Sequence, residues 1–136
     1  MTTPISGGCL CGEIRYESDG EVVMPFLCHC QKCQKAGGSA FTAGFLVAKD
    51  SLQIIQGTPK GYSVTGDSGK SVTREFCSNC GSGLFSHLEI APSMVVVKVG
   101  TLDDPSWFKP AKHLWTESEM PWAHIEDDAD RLPQGS

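Results

Sequence analysis

At 136 residues the chain has the length of one ordinary domain, 1–136, with apolar residues enough for one core and not for two. A formal net charge of −5 without any Lys or Arg stripe argues against a nucleic-acid footprint, and the longest apolar runs, such as Met94 to Val97, are far too short to span a bilayer. Seven cysteines, an odd number, preclude a complete internal disulfide framework. Together with an opening Met1-Thr2-Thr3-Pro4 that lacks the features of a signal peptide, they predict a cytoplasmic protein whose thiols bind metal or do redox work.

In chain order, Ser6-Gly7-Gly8-Cys9-Leu10-Cys11-Gly12 reads as a glycine turn feeding a half-buried strand, where Ile14 and Tyr16 alternate with charged residues. Val22 to Leu27 is a second strand, in which Pro25 marks an edge or a break in pairing. It leads into Cys28-His29-Cys30-Gln31-Lys32-Cys33. Gln31 to Ala36 predicts a short helical turn stopped by Gly37-Gly38. Phe41 to Ala48 and Leu52 to Gln56 predict two strands joined by a tight turn at Lys49-Asp50-Ser51. Tyr62 to Val64 and Val72 to Phe76 predict a hairpin around Gly66-Asp67-Ser68-Gly69-Lys70, and Leu84 to Leu88 and Met94 to Val99 extend the series. Short strands with Gly-rich turns and no long helical period predict a mainly β architecture of small packed sheets with little helix. The C-terminal segment holds all three tryptophans, Trp107, Trp115 and Trp122, and is expected to pack back on the sheets; the acidic run from Glu126 to Asp130 reads as a solvated tail or face.

Three clusters hold every cysteine: Cys9 with Cys11; Cys28, Cys30 and Cys33; and Cys77 with Cys80. Cys77-Ser78-Asn79-Cys80-Gly81 has zinc-knuckle spacing, because its turn aims amide N–H groups at two sulfurs that reach one ion. The economical partition joins Cys9, Cys11, Cys77 and Cys80 in a closed tetrahedral site and leaves three thiolates with an open position. The closed site reads as structural; a redox pair at Cys77 and Cys80 would need a βαβ setting, and an iron–sulfur cluster on the same four thiols is a further alternative. His29 or His87 could close the three-thiol site, although on a strand His29 points away from Cys28 and Cys30. An open three-thiolate zinc carries a formal −1 charge. It is a poor Lewis acid toward water and a soft partner for another thiol, which it would deprotonate and hold for addition to an electrophile such as an aldehyde. The donors nearest in sequence are Lys32, Lys35 and the Gly37-Gly38-Ser39 backbone. Two other classes stay open, a zinc-stabilised binding module without chemistry and a thiol redox protein. His113, Trp115, Trp122 and Phe41 read either as cleft walls or as core, and Arg15 and Arg74 as solvated or paired.

These residues resemble the glutathione-dependent formaldehyde-activating enzymes, a family that includes the centromere protein V relatives. The resemblance rests on Gly8-Cys9-Leu10-Cys11-Gly12, on Cys28-His29-Cys30-x-x-Cys33 with Gly38-Ser39-Ala40-Phe41, on Phe76-Cys77-x-x-Cys80-Gly81, on Gly100-Thr101-Leu102-Asp103, and on His113-Leu114-Trp115 with Pro121-Trp122. It implies a β-tent fold with two zinc ions, a structural one on Cys9, Cys11, Cys77 and Cys80 and a catalytic one on Cys28, Cys30 and Cys33. It also implies a carbon–sulfur lyase-type reaction in which glutathione adds to formaldehyde. Near the trio in sequence, Lys32, Lys35, Ser39 and Phe41 are the residues expected to meet the thiol. Two positions depart from the family pattern: Gln34, where a basic residue is common, and Ser82, where threonine is common.

Overall fold

A computed structural model describes residues 4–66 and 68–135; Met1, Thr2 and Thr3 of the N-terminal reading and Asp67 of the predicted hairpin turn lie outside the described residues. Strands β1 (Ile5–Gly8), β2 (Arg15–Ser18) and β5 (Leu52–Gln56) form an antiparallel sheet. A second sheet holds β3 (Val23–Cys28), β4 (Thr42–Ala48), β6 (Lys60–Thr65), β7 (Ser71–Phe76), β8 (Gly83–Leu88), β9 (Met94–Lys98), β10 (Lys112–Leu114) and β11 (Asp130–Arg131), in the order β11-β10-β3-β4-β9-β8-β7-β6. One α-helix, α1 (Gln31–Gly37), follows β3 and ends at Gly38, whose φ of 65° suits the left-handed cap that glycine adopts without strain. The expected mainly β architecture with little helix is what the chain adopts.

Two local expectations change. The strands β4 and β5 are not a hairpin: a 3-10 turn, Lys49–Ser51, passes the chain from the larger sheet to the smaller. Most of β4 is buried or partly covered on both faces, and it sits between β3 and β9, whereas β5 is mostly exposed and forms a sheet edge. Trp122 is 78% exposed in the 3-10 turn Pro121–Ala123, so only part of the aromatic C-terminal segment packs back. Trp107 meets Phe45 edge-on at 5.3 Å, and Trp115 packs with Phe26, Cys28 and Val96.

That segment returns by an unforeseen route. Strand β10 lies parallel to β3, with His113 opposite Leu27, and β11 lies parallel to β10. The acidic run is therefore partly built in: Asp130 belongs to β11 and the Asp127 carboxylate accepts from His113. Pro25 is tolerated inside the sheet because the β3–β4 register slips between Val23 and Phe26, with Met24 at a φ of 48°.

The two faces of the larger sheet have different fates. On one, Phe45, Val47, Phe85, Val95 and Val97 pack against Ile5 and Tyr16 of the smaller sheet, and Ile14 just before β2, in the main core. Each such fully buried apolar side chain contributes about 1.5–3 kcal/mol. The bridge between Gly7 and Leu102 and the 2.7 Å bond between the Tyr16 hydroxyl and Thr101 stitch the sheets together. On the opposite face, Phe26, Leu46, Leu88 and Val96 line an open cavity. A Cβ at Gly44 would stand 3.0 Å from Val96 and 3.1 Å from Phe26, so a side chain there would press on both.

Candidate metal centres

The first centre is built from two turns of the same design. After β1, the Cys9 carbonyl accepts from the Gly12 amide, Gly12 takes a φ of 81°, and the Ile14 amide donates to Cys9 Sγ at 3.2 Å. After β7, the Cys77 carbonyl accepts from the Gly81 amide and Gly81 takes a φ of 82°. A positive φ in each turn lets two sulfurs face one point, which only glycine allows cheaply. The sulfurs of Cys9, Cys11, Cys77 and Cys80 all lie within 4.8 Å of one another. Cys9 and Cys11 are 3.6 Å apart and Cys11 and Cys77 3.8 Å. Sulfurs in a tetrahedron about zinc, each about 2.3 Å from the metal, stand about 3.8 Å apart, so this donor set fits the ion.

Ser82 joins the two turns. Its hydroxyl accepts from the Leu10 amide at 3.0 Å and lies 3.2 Å from Cys80 Sγ. That hydroxyl, with the amides of Ser82 and Cys11, holds the Cys80 thiol down to about 5, well inside the range where it is a thiolate at neutral pH.

The second centre is local. Cys28 ends β3, Cys30 caps α1 by accepting the Cys33 amide at 3.3 Å, and Cys33 lies in the first turn of that helix. Their three sulfurs also fall within 4.8 Å of one another. Hydrogen bonds from Cys28 and Cys30 hold the Cys33 thiol low, while bonds with Cys30 and Cys33, together with burial, push Cys28 up. All seven cysteines are free thiols. The grouping by fours and threes that the spacing suggested is the grouping that the fold makes.

Neither candidate histidine joins the trio. His87 Nε2 bonds Glu75 at 2.5 Å. His29, fully buried, stacks on His113 with Nε2 3.0 Å from His113 Nδ1, while His113 Nε2 lies 2.9 Å from Asp127. The Asp127 carboxylate can only accept, so His113 Nε2 donates to it, His113 Nδ1 is left as the acceptor, and His29 Nε2 donates to that nitrogen. Phe41 meets the His29 ring edge-on at 5.6 Å.

The three thiols open onto a cavity of about 510 Å³. Its walls are mainly apolar, from β3, β4, β7, β8 and β9 with Leu114 and Trp115, and three cations reach it: Lys32, Arg74 and Lys98. Lys32 also donates to the Thr65 carbonyl at 3.1 Å. Arg74 and Lys98 both act electrostatically on Cys33. Of the side chains expected to meet a thiol, Lys32 lines the cavity; Lys35 and Ser39 are exposed on and just after α1, and they and Phe41 are not among its lining residues. Sequence reasoning passed over Arg74 and Lys98, although strand alternation puts Val72 and Arg74 on one face, as it does Val96 and Lys98. Gln34, the departure beside Cys33, donates to the carbonyls of His29 at 2.8 Å and Ser118 at 2.9 Å, tying α1 to the C-terminal segment.

Residues 4–118 match the family model described as glutathione-dependent formaldehyde-activating enzyme. Relatives provisionally given that name occur in Aspergillus flavus, 30% identical over 84 residues that make up 60% of this chain and 43% of the relative, and in Fusarium vanettenii, 30% identical over 89 residues, 62% of this chain and 47% of the relative. The matches thus span less than half the length of these relatives. A crystal structure of a Rhodobacter sphaeroides protein superposes with a TM-score of 0.58 at 21% identity, covering 72% of this chain and 87% of that one, which shows a shared fold.

Proposed function

This chain belongs to the glutathione-dependent formaldehyde-activating enzyme family, and on that premise we propose that it is a zinc-dependent enzyme of carbon–sulfur lyase type. In the reaction a low-molecular-weight thiol, glutathione in the family's name, adds to formaldehyde or another small electrophile: the sulfur bonds the carbonyl carbon, and the thiol proton ends on the new hydroxyl. The reading places the protein in a reducing cytoplasm, where free thiols persist; no helix among the described residues is long and apolar enough to cross a membrane.

Cys28, Cys30 and Cys33 would hold the catalytic ion and Cys9, Cys11, Cys77 and Cys80 the structural one. Zinc held by these three thiolates would supply a soft Lewis-acid site that lowers the pKa of an incoming thiol. The chain's own part is electrostatic and steric. Arg74 and Lys98 offset the negative charge that gathers near Cys33, and the apolar walls keep water from a bound nucleophile. Lys32 reaches the same space from α1.

The observation that carries this reading is that four thiols satisfy one another while the other three face a cavity. Its test is to load the protein with zinc, count the metal, and follow adduct formation from glutathione and labelled formaldehyde by NMR against the uncatalysed rate. Acceleration that disappears in Cys33→Ser supports the enzyme. Two zincs without acceleration for any small thiol leave a zinc-stabilised binding module.

A further inference from the structure

His29 stands between two of the three thiols, and each part of it is tied to a different element. Its amide donates to the Leu114 carbonyl of β10 at 2.9 Å, its carbonyl accepts from Gln34 of α1 at 2.8 Å, and its ring is stacked on His113 with Nε2 3.0 Å from His113 Nδ1. Side chains alternate along extended backbone, so a His29 ring fixed against His113 turns Cys28 and Cys30 to the opposite side, where both line the cavity. The ring is fixed by direction as well as by packing. Asp127 accepts from His113 Nε2 at 2.9 Å, and the Ala129 amide donates to Asp127 at 3.2 Å. This tautomer leaves His29 Nδ1 buried as a bare acceptor, without a hydrogen-bond partner among the described residues. A phenyl ring would fill the space without that loss. What the imidazole adds is one directional bond that sets the orientation of the ring.

We propose that His113 and Asp127 are positioning residues for the three-thiol centre: through the His29 ring they hold Cys28 and Cys30 facing the cavity, and so keep the three sulfurs gathered for one ion. The proposal rests on the reading of Cys28, Cys30 and Cys33 as a metal centre, and it is independent of which thiol or electrophile the site receives. Groups behind a metal site commonly orient a ligand by bonding to it directly. Here the bond goes to the residue between two ligands, and it comes from His113, 84 positions further along the chain. The orienting contacts therefore lie on the side of the segment away from the cavity, where they take no space from a guest.

The test is chelator competition on the cobalt-loaded protein, followed by its thiolate-to-cobalt absorption; the bands that Cys33→Ser lacks belong to the three-thiol centre. His113→Phe, which keeps a ring in the stack and removes the acceptor, should weaken cobalt at that centre by about 10–100-fold and shift its bands, while the four-thiol centre is unchanged. Asp127→Ala should act in the same direction, and Asp127→Asn, whose amide oxygen can still accept from His113, should restore most of the wild-type affinity. The Asp127 side chain is 19% exposed, so its two variants serve if His113→Phe does not fold. Equal losses at both centres mean that the line only stabilises the fold, and unchanged bands and affinity in every variant mean that it does nothing for the sulfurs; either result overturns the proposal. Wild-type bands that all persist in Cys33→Ser would show no metal on the trio, which removes the metal-centre reading and the proposal with it.

Discussion

Asp127, His113 and His29 form a hydrogen-bonded line from the surface to the segment that bears the three thiols, and its outer member sets the tautomers of the other two. Replacing His113 with Leu leaves the buried His29 Nε2–H without an acceptor, a loss of about 1–3 kcal/mol that urea unfolding would register. Asp127 makes the line sensitive to acid. The hydrogen bond from His113 comes first among the causes that hold its carboxyl below the ordinary range, followed by the Ala129 amide and the charge of Arg131. A carboxyl depressed in the fold stabilises it above the unfolded pKa of about 3.9, and this contribution fades as pH falls through the lower folded value. Melting temperatures of the wild type and Asp127→Asn should therefore differ at pH 7 and converge toward pH 3. Thiolate protonation destabilises both proteins alike, so the difference isolates the carboxylate. The cysteines were legible from sequence because their chemistry and short spacing narrow the choices. Lys98 and Arg74 were not: alternation shows that each shares a face with its i−2 neighbour, but only the register of β7, β8 and β9 shows that those faces look onto the thiols.

Helix α1 contributes Cys33 and is only Gln31–Gly37 long, too short to hold itself in water, so its position depends on ties at its ends. Gln34 supplies two of these, to the carbonyls of His29 and Ser118. Gln34→Ala should cost about 1–3 kcal/mol and loosen the three-thiol site, lowering its metal affinity in a chelator competition while the four-thiol site keeps its own. Gln34→Lys discriminates further: if the position mainly tunes charge, the lysine variant binds thiol better than wild type, and if it mainly holds the helix, both variants lose metal alike. At this scale, strand existence was readable from local alternation and the order of strands was not. Nothing near Lys49-Asp50-Ser51 indicates that β4 and β5 belong to different sheets, because that choice depends on which strand needs two covered faces. Nor does the three-residue β10 announce its parallel pairing with β3, a contact between segments more than eighty residues apart.

At the scale of the molecule, the two thiol centres should differ in what they hold together. Cys9 and Cys11 follow β1 of the smaller sheet, while Cys77 and Cys80 lie between β7 and β8 of the larger, so an ion there closes a long loop and clamps one sheet to the other. The trio closes only the segment from Cys28 to Cys33, whose ends are already fixed by β3 and α1. Metal binding at a structural zinc site supplies about 10–16 kcal/mol, comparable with the whole stability of a domain at about 5–15 kcal/mol. Stripping metal with a strong chelator should therefore abolish the cooperative thermal transition, and Cys11→Ser should reproduce that loss with metal present. Cys33→Ser should leave the melting temperature within a few degrees of wild type, retain one metal instead of two, and remove catalysis. A Cys33→Ser protein that unfolds like Cys11→Ser would mean that both centres are structural, and the three-thiol site would then have no claim to the chemistry.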